Sequence, residues 1–313
     1  MTMNYTECAE YLKNRDGFLI LTHTNPDGDT AGSAAALCSA LNRKGKRAYL
    51  YANPQFTEKL RRYVGKFIAP EDYEPECVIA GDIAEESLFP KGFEGKADLC
   101  IDHHPSNRLY APYTLLEAQK ASCGEIILRL LKNMKLKLTK EEATLLYIAV
   151  STDTGCFRYT NTCADTLAAG AELLKAGADN AEINLVFFRK VSTARLKLEG
   201  EIYNALRFFR DGEVAVAVVT KEMTERCGAS DEDMDDIASL VGRAEKAKIC
   251  ITVREKDNGM SRVSVRTGKN ADASEICAVF GGGGHAAAAG CTIKAEPERA
   301  VEMLMDVVNE IVE

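Results

Sequence analysis

The chain lacks the features that mark several large classes of protein. Its 313 residues carry a formal net charge of -8, so no global basic field draws it to long nucleic acids or to an anionic membrane. No apolar run approaches the length of a membrane span, and the amino terminus has no basic stretch followed by an apolar one. We therefore expect a cytoplasmic protein that binds neither membranes nor long duplex nucleic acid.

Paired cysteine motifs are also missing. None of the 11 cysteines forms a Cys-x-x-Cys pair, and most stand inside apolar runs. Buried thiols in a reducing compartment explain this pattern better than disulfides or structural zinc. Hydrophobic residues make up 46% of the chain and charged residues 27%, an ordinary globular composition, and the length favours two domains.

Histidine is scarce, and its placement is informative. The four histidines are His23, His103, His104 and His285. The first three stand close to aspartates in the chain, and the last follows four consecutive glycines. A single buried histidine is usually a satisfied core residue, but four histidines placed in this way favour imidazole chemistry.

Apolar runs of strand length end in aspartate or histidine at three places. The run 18 to 21 precedes His23, Asp27 and Asp29, the run 77 to 80 precedes Asp82, and the run 97 to 101 precedes Asp102, His103 and His104. The first run continues through a turn and a small-residue helix to a second strand, the order of a β-α-β unit with parallel strands. Because the carboxyl ends of parallel strands meet at one edge of a sheet, we expect one shared site there.

Capping signals predict helices in the middle of the chain. Ser-x-x-Glu at 122 to 125 and Thr-x-x-Glu at 139 to 142 predict helices over 123 to 133 and 140 to 150. A polar loop at 151 to 162 follows, in which Asp153 is a candidate ligand and Arg158 a candidate anion-binding group. Further helices are expected over 164 to 176 and 190 to 208.

After Gly212 the pattern changes. Alternating residues predict a strand over 213 to 219, a helical segment follows over 231 to 245, and two strands over 248 to 254 and 260 to 266 are joined by Asp-Asn-Gly turn chemistry. This order favours a second, smaller α/β domain.

The aspartates and histidines form the donor set of a divalent metal centre. Asp27, Asp29, Asp82, Asp102 and Asp153 would repel one another if they were gathered in one cleft without cations. Two divalent ions make such a cluster favourable, and a water that bridges them can ionise to hydroxide near neutral pH. Such a centre is suited to in-line attack on phosphorus.

Two segments near the carboxyl end are candidates for binding an anion. Gly281 to His285 matches neither a Walker A loop nor Gly-x-Gly-x-x-Gly, but Gly282, Gly283 and Gly284 let backbone N–H groups approach an anion, and His285 adds a donor. The alternative is a flexible turn packed against a helix that begins at 286 to 289. Two-residue alternation places Arg262, Ser264 and Arg266 on one strand face, which is either a binding face or a solvated one.

Five separated motifs occur in order along the chain. They are His-Thr-Asn-Pro-Asp-Gly-Asp-Thr-Ala-Gly-Ser at 23 to 33, Asp82, Asp-His-His at 102 to 104, Asp-Thr-Gly-Cys-Phe-Arg-Tyr-Thr-Asn-Thr at 153 to 162, and Gly-Gly-Gly-Gly-His at 281 to 285 with Ala-Ala-Gly at 288 to 290. Together they resemble the DHH phosphoesterase superfamily, and most of all its bifunctional oligoribonuclease and pAp phosphatase branch, the nanoRNase A type.

The resemblance implies an architecture and a ligand set. It implies a parallel-sheet DHH domain (1–189), a connecting helix (190–210) and a DHH-associated substrate-binding domain (211–313), with the active site in the cleft between the domains. Two divalent ions, expected to be Mn²⁺, would be held by His23, Asp27 and Asp82 and by Asp29, Asp82, His103 and Asp153. His104 would face the reacting phosphate, Asp102 would orient an imidazole, and the glycine segment, His285 and Arg262 would hold the far phosphate or base.

The activity implied is Mn²⁺-dependent hydrolysis of short oligoribonucleotides to mononucleotides and removal of the 3′-phosphate of pAp, by a metal-bridging hydroxide. A cyclic or linear di-adenylate phosphodiesterase is the alternative enzyme, and a nucleotide-binding scaffold is the non-enzymatic alternative. A manganese pyrophosphatase and a RecJ-type exonuclease are less favoured. The partners expected are short RNA and pAp-like nucleotides, and a homodimer is compatible with this interpretation.

Overall fold

A computed structural model of the chain describes residues 1–234, 237–268 and 271–311. Its internal contacts divide the chain into two compact units, Met1–Lys190 and Val191–Glu313. Within the described residues, no helix combines the length and the apolar character that crossing a membrane requires. All eleven cysteines are free, and nine of them are buried, as their apolar sequence context predicts.

The first unit is built on a five-stranded parallel sheet of order β2-β1-β3-β4-β5. Its strands are β1 (Phe18–Leu21), β2 (Ala48–Leu50), β3 (Cys77–Gly81), β4 (Leu99–Asp102) and β5 (Tyr113–Leu116). Its helices are α1 (Tyr5–Lys13), α2 (Gly28–Arg43), α3 (Glu58–Val64), α4 (Cys123–Asn133), α5 (Lys140–Asp153), α6 (Ala164–Lys175) and α7 (Asn180–Asn184).

Local chemistry explains why the helices next to the site begin where they do. The Asp27 carboxylate caps α2 by accepting from the backbone N–H groups of Asp29 and Thr30, and Thr139 and Glu142 form a capping box at α5. Helices α2 and α5 pack very closely at Gly32, because glycine has no side chain to separate them. A Cβ on Gly32 would lie 2.4 Å from the Leu145 carbonyl oxygen. The predicted β-α-β unit, the helix at 123 to 133 and the helix that starts at 140 are confirmed.

The second unit contains a six-stranded mixed sheet of order β10-β11-β9-β8-β7-β6, in which only the pair β7 and β8 is parallel among the described strands. Its strands are β6 (Arg207–Phe209), β7 (Val214–Val219), β8 (Ile249–Glu255), β9 (Ser261–Thr267), β10 (Gly283–His285) and β11 (Ala288–Ile293). Its helices are α8 (Thr193–Asn204), α9 (Lys221–Cys227), α10 (Ala238–Val241), α11 (Ala273–Ala278) and α12 (Pro297–Ile311).

The α/β class with two α/β units is confirmed, but three predicted helices of the second unit differ. The helix expected over 190 to 208 ends at Asn204, and 207 to 209 form strand β6. The helical segment expected over 231 to 245 includes residues 235 and 236, which lie outside the described residues, and its last helix, α10, stops before Gly242. The helix start expected at 286 to 289 is wrong, because the alanines there enter strand β11 and sheet pairing overrides their helix propensity.

Candidate functional site

The candidate site lies at the carboxyl ends of three neighbouring parallel strands. His23, Asp27 and Asp29 follow β1, Asp82 follows β3, and Asp102 is the last residue of β4. Asp153 reaches the same site as the last residue of α5, which packs against α2. The sheet order places β1, β3 and β4 side by side, and this is why segments far apart in sequence converge.

The side chains form three groups of potential metal ligands. In each group the ligand atoms lie within 4.8 Å of one another. The groups are His23, Asp27 and Asp82; Asp29, His103 and Asp153; and Asp82, His103 and His104. Asp82 belongs to two of the groups and so does His103, so the three groups form one continuous cluster. The structure therefore brings together all six residues that the sequence predicted as ligands.

Asp82 is the centre of this cluster. Its carboxylate lies 3.4 Å from His103 Nε2, 3.6 Å from His104 Nδ1 and 3.9 Å from His23 Nε2. Its Oδ1 atom is buried and has no hydrogen-bond partner among the residues that the structure describes. Its backbone has a φ of 62°, a region that aspartate adopts only at some cost. A buried, unpartnered carboxylate oxygen among imidazoles has the chemistry of a ligand for a divalent cation.

Hydrogen bonds fix two further members of the cluster. The backbone N–H groups of Cys123 and Gly124, at the start of α4, donate to the two carboxylate oxygens of Asp29 at 2.7 and 2.9 Å. His103 Nδ1 lies 3.1 Å from the Lys120 carbonyl oxygen, to which it can donate. That bond leaves the Nε2 lone pair facing Asp29, Asp82 and Asp153, the tautomer that a metal requires.

Asp102 lies beneath the cluster and acts on an imidazole. It is fully buried, and its Oδ1 accepts from the backbone N–H of His103 and from Nδ1 of His104, both at 2.8 Å. Its Oδ2 accepts from the side-chain amide of Asn107 at 2.6 Å. Asp102 is absent from all three ligand groups, so it orients His104 instead of contributing a ligand.

The crowding of charge shifts the proton affinities of these groups. Burial is the largest influence on Asp153 and, with the charges of Asp82 and Asp27, raises its pKa to about 6 against the opposing effect of His103. Burial lowers the pKa of His103, but the Asp82 carboxylate 3.4 Å away and the charge of Asp153 outweigh it and raise the pKa to about 9. The bond to Asp102 raises the pKa of His104. In the metal-free protein, protons bound to these groups reduce the negative charge of the cluster. Bound cations would do the same.

Arg158 lies in the loop that follows Asp153. Its side chain is exposed, and its Nε donates to the Gly155 carbonyl at 2.6 Å. The Asn161 amide ties the same loop to the Asp153 carbonyl at 3.0 Å. Arg158 is not a member of the three ligand groups, but it provides a cation within five residues of one of them.

In the second unit, the other predicted binding residues lie on one face of the sheet. Strand register aligns Arg266 with Ala288 and Ala288 with His285, so these side chains share a face across β9, β11 and β10. The next row aligns Ser264 with Gly290 and Gly283, and Arg262 follows one row further along. The opposite face carries the valines and alanines that pack into the core with α11 and α12. We call the set Arg254, Arg262, Ser264, Arg266 and His285 the arginine face.

The glycine segment, residues 281–285, contains an edge strand and glycines that pack closely against the neighbouring strand. Gly283, Gly284 and His285 form the edge strand β10, and all three are exposed. A Cβ on Gly282 would lie 2.3 Å from the Gly290 carbonyl oxygen and 2.4 Å from Cys291 Cβ. A Cβ on Gly284 would likewise lie 2.5 Å from the Ala288 carbonyl oxygen, so close packing requires glycine at 282 and 284, whereas a Cβ on Gly283 would meet no atom within 4 Å.

Known protein families match segments in both units of the chain. The family model described as "DHH family, N-terminal domain" matches residues 17–150, and the "DHHA1 domain" model matches residues 211–313. A bifunctional oligoribonuclease and PAP phosphatase NrnA of Thermus thermophilus is 32% identical over 308 residues, covering 96% of this chain and 92% of the relative. The chain belongs to the DHH family.

Two further proteins are similar to this chain over almost its whole length. The Mycoplasma genitalium protein of the same name is 28% identical and covers 98% of each chain. The crystal structure of an exopolyphosphatase-related protein from Bacteroides fragilis superposes with a TM-score of 0.88 over 98% of this chain and 95% of that one, at 23% identity. The second likeness supports the DHH-family fold.

Two polar residues of this DHH-family chain were missed by the sequence analysis. Asn107 orients Asp102, and its only signal in the sequence is its position three residues beyond His104. Arg254 stands directly opposite Arg262 in the register of β8 and β9 and belongs to the arginine face. The alternation of β8, Cys250-Ile-Thr-Val-Arg254, could have placed it there once the pairing of the two strands was known.

Proposed function

We propose that this protein is a metal-dependent phosphoesterase that hydrolyses short oligoribonucleotides to mononucleotides and removes the 3′-phosphate of pAp. The observation that carries the proposal is the cluster around Asp82, in which five aspartates and three imidazoles converge and no aspartate is ion-paired with lysine or arginine among the described residues. The names of the Thermus and Mycoplasma relatives supply the substrate class.

The residues present fit a pair of divalent cations, which we propose to be Mn²⁺. We assign His23, Asp27 and Asp82 to one ion and Asp29, Asp82, His103 and Asp153 to the other. The mixed nitrogen and oxygen donors and the unpartnered Oδ1 of Asp82 support this assignment. When bound, such ions supply Lewis acidity and a nucleophile that is active near neutral pH.

His104 is the residue we assign to the reacting phosphate. Its Nδ1 is engaged by Asp102, so Nε2 is the nitrogen left to bind substrate, and the side chain is 41% exposed. Because Asp102 raises the pKa of His104, the imidazole keeps a proton at higher pH than a free histidine does. Nε2 can then donate to a phosphate oxygen or to the leaving oxygen. Asp102 and Asn107 hold the ring in this orientation.

We assign substrate binding to Arg158 and to the second unit. There, Arg262, Ser264 and Arg266 offer cationic and hydroxyl donors on one face, and Gly283, Gly284 and His285 end that face with exposed backbone and an imidazole. We assign the half-buried Gly282, which precedes them in the chain, to the same segment. We propose residues 1–189 as the catalytic domain, 190–210 as the connecting segment and 211–313 as the substrate-binding domain. The contact units and the two family matches support these limits.

The test is a substrate panel with metal control. Protein stripped of metal is assayed with and without added Mn²⁺ on pAp, a ribodinucleotide, pyrophosphate and cyclic di-AMP. We expect Mn²⁺-dependent turnover of pAp and the ribodinucleotide. Turnover of cyclic di-AMP or of pyrophosphate alone would move the protein to another activity on the same cluster, and binding without turnover of all four would indicate a scaffold.

A further inference from the structure

The segment of residues 120–124, which leads into α4, contacts two of the proposed metal ligands directly. The Lys120 carbonyl oxygen lies 3.1 Å from His103 Nδ1, and two backbone N–H groups at the start of α4 donate to the Asp29 carboxylate. The bond to the Lys120 carbonyl sets the direction in which His103 Nε2 points. A shift of this carbonyl would therefore move a ligand atom.

The same segment reaches a third ligand through one side chain. The Asn161 amide donates to the Ala121 carbonyl at 3.2 Å and to the Asp153 carbonyl at 3.0 Å. These two bonds join residues 120–124 to the end of α5, where Asp153 stands. All three members of the ligand group that includes Asp153 thus depend on where residues 120–124 lie.

The side chain of Lys120 fastens this segment to two helices. Lys120 belongs to the connection between β5 and α4, outside any helix or strand. Its Nζ lies 3.1 Å from Asp165 in the first turn of α6 and 3.6 Å from Glu125 in the first turn of α4. The side chain is only 17% exposed, so most of its stem is covered by protein. The residue whose carbonyl oxygen contacts His103 is therefore held at both its backbone and its ammonium group.

Stability alone does not account for the pair of Lys120 and Glu125. Glu125 is 4% exposed, and its Oε1 is buried without a hydrogen-bond partner among the described residues. Its Oε2 lies 3.6 Å from Lys120 Nζ, which is longer than a hydrogen bond. Burying a carboxylate costs about as much free energy as such a pair recovers, and well-packed apolar side chains in its place are often as stable. What the pair supplies is a fixed position for Lys120.

Resting on the proposed function, we propose that Lys120 is a positioning residue for the metal centre. Glu125 and Asp165 hold its ammonium group. The Lys120 carbonyl oxygen is thereby kept at His103 Nδ1, and His103 Nε2 faces the other two ligands of its group. Lys120 contributes no ligand atom and acts through His103.

The first test follows His103 in the metal-free, full-length protein. A hydrogen bond to the Lys120 carbonyl slows exchange of the His103 Nδ1 proton with water, so NMR spectra of wild type with isotope-labelled histidine should show this proton. Lys120→Met should lose the signal. Lys120→Arg should keep it, because a guanidinium can reach the same two carboxylates. The same signal in Lys120→Met as in wild type would overturn the proposal.

A matched control is available on the same pair of helices. Lys132 also joins α4 to α6, since its Nζ lies 2.8 Å from Glu172, but it stands in the last turn of α4, at the end opposite residues 120–124. Lys132→Met removes an ion pair of the same type and should leave the His103 signal unchanged. Loss of the signal in Lys132→Met as well would assign the effect to helix packing and refute a specific role of Lys120.

The second test measures Mn²⁺ affinity by titration calorimetry at one pH. We expect Lys120→Met to bind Mn²⁺ about tenfold more weakly than wild type, in the range typical of lost support for a metal ligand. Lys120→Arg should bind nearly as tightly as wild type, and Lys132→Met should be unchanged. Equal affinities of Lys120→Met and wild type would refute the positioning role.

A double variant separates positioning from charge compensation. Lys120→Met leaves the Glu125 carboxylate buried without its partner and should lower the unfolding temperature. Adding Glu125→Gln removes that charge and should recover most of the unfolding temperature, while Mn²⁺ affinity stays low. Wild-type affinity in the double variant would show that Lys120 only neutralises Glu125. Wild type that binds no Mn²⁺ would contradict the proposed function, and the NMR comparison in metal-free protein decides the role of Lys120 independently.

Discussion

The two units of the molecule concentrate opposite charges. In the first unit, carboxylates and imidazoles converge at the ends of parallel strands, and no lysine or arginine pairs with the aspartates of the cluster among the described residues. In the second unit, Arg254, Arg262 and Arg266 lie on one face of a mixed sheet, and none of the three forms a salt bridge within 4.0 Å in the part of the chain that the structure describes. In each region, charged side chains of one sign lie close together without salt bridges to side chains of the opposite sign. Such salt bridges would make the region more stable.

The difference is consistent with the ligands that we propose for each region. Leaving a charge uncompensated costs stability, and a bound ligand of opposite charge removes that cost. Divalent cations fit the first region and phosphate anions fit the second. The following predictions test this division, from the largest expected effect to the smallest.

Asp82→Asn should produce the largest loss. It removes the carboxylate shared by two ligand groups, and we expect turnover of a ribodinucleotide to fall about a thousandfold, as several kcal/mol of charge stabilisation are lost. Metal analysis of the purified variant should show less than the wild-type content of bound ion. Asp72→Asn, which changes an exposed carboxylate outside the cluster, is the control. Full activity of Asp82→Asn would contradict the central role of this residue.

Asn107→Ala should lower the turnover number without much change in KM. Asn107 contacts Asp102 and no ligand group, and loss of such a supporting bond typically costs about 10- to 100-fold in activity or metal affinity. Steady-state kinetics of Asn107→Ala, Asp102→Asn and the double variant measure the effect. Because both residues act through His104, the double variant should be little worse than the worse single one. Additive losses would show that Asn107 acts elsewhere.

Metal affinity should increase with pH. The pKa of His103 is raised to about 9 and that of Asp153 to about 6 in the metal-free protein, so a cation must displace protons that these groups hold at lower pH. Below pH 9 each unit of acidification should weaken Mn²⁺ binding by up to about tenfold for each proton displaced. Titration calorimetry at several pH values, in buffers of different ionisation enthalpy, reports both the affinity and the protons released. Constant affinity without proton release would refute the assignment of His103 as a ligand.

Gly282→Ala should lower the free energy of unfolding more than Gly283→Ala does. The added Cβ at Gly282 would collide with Gly290 and Cys291, whereas the one at Gly283 meets no atom within 4 Å. We expect Gly282→Ala to lower the free energy of unfolding by about 1–3 kcal/mol, the cost of a forced shift in a packed region. Gly283→Ala should change it by less than about 0.5 kcal/mol. Chemical denaturation of the two variants checks the difference, and equal values would mean that the hairpin adjusts freely.

Much of the first unit could be predicted from the sequence because its signals are local. A short apolar run followed by Asp or His, as at Ile101 and Asp102, predicts a buried strand and a site at its end. Caps such as Thr139 with Glu142 mark a helix start through bonds within four residues. The expectation that parallel strands share an edge brought the residues after β1, β3 and β4 into one site. The choice of six ligands, Asp153 after α5 among them, came from the family resemblance, and the structure brings all six together.

The second unit was harder to predict from the sequence, because its structure depends on contacts between strands that are far apart in the chain. The alanines at 286 to 289 favour a helix by propensity, but pairing of β10 with β11 makes them part of a hairpin. Arg254 gives no signal by itself, since a charged residue near a strand end is usually solvated. Only the register of β8 against β9 places it opposite Arg262.

The sequence by itself determined the class of the fold, the starts of the capped helices of the first unit, and the set of aspartates and histidines available for metal. It could do so because periodicity, caps and residue chemistry act over a few neighbouring positions. The tertiary structure decided that the Asp82 carboxylate lies within 4 Å of three imidazoles, that Asn107 supports Asp102, and that Arg254 and Arg262 stand opposite each other. These depend on strand order and register, which are set by the burial of whole sheets and helices and not by any one segment.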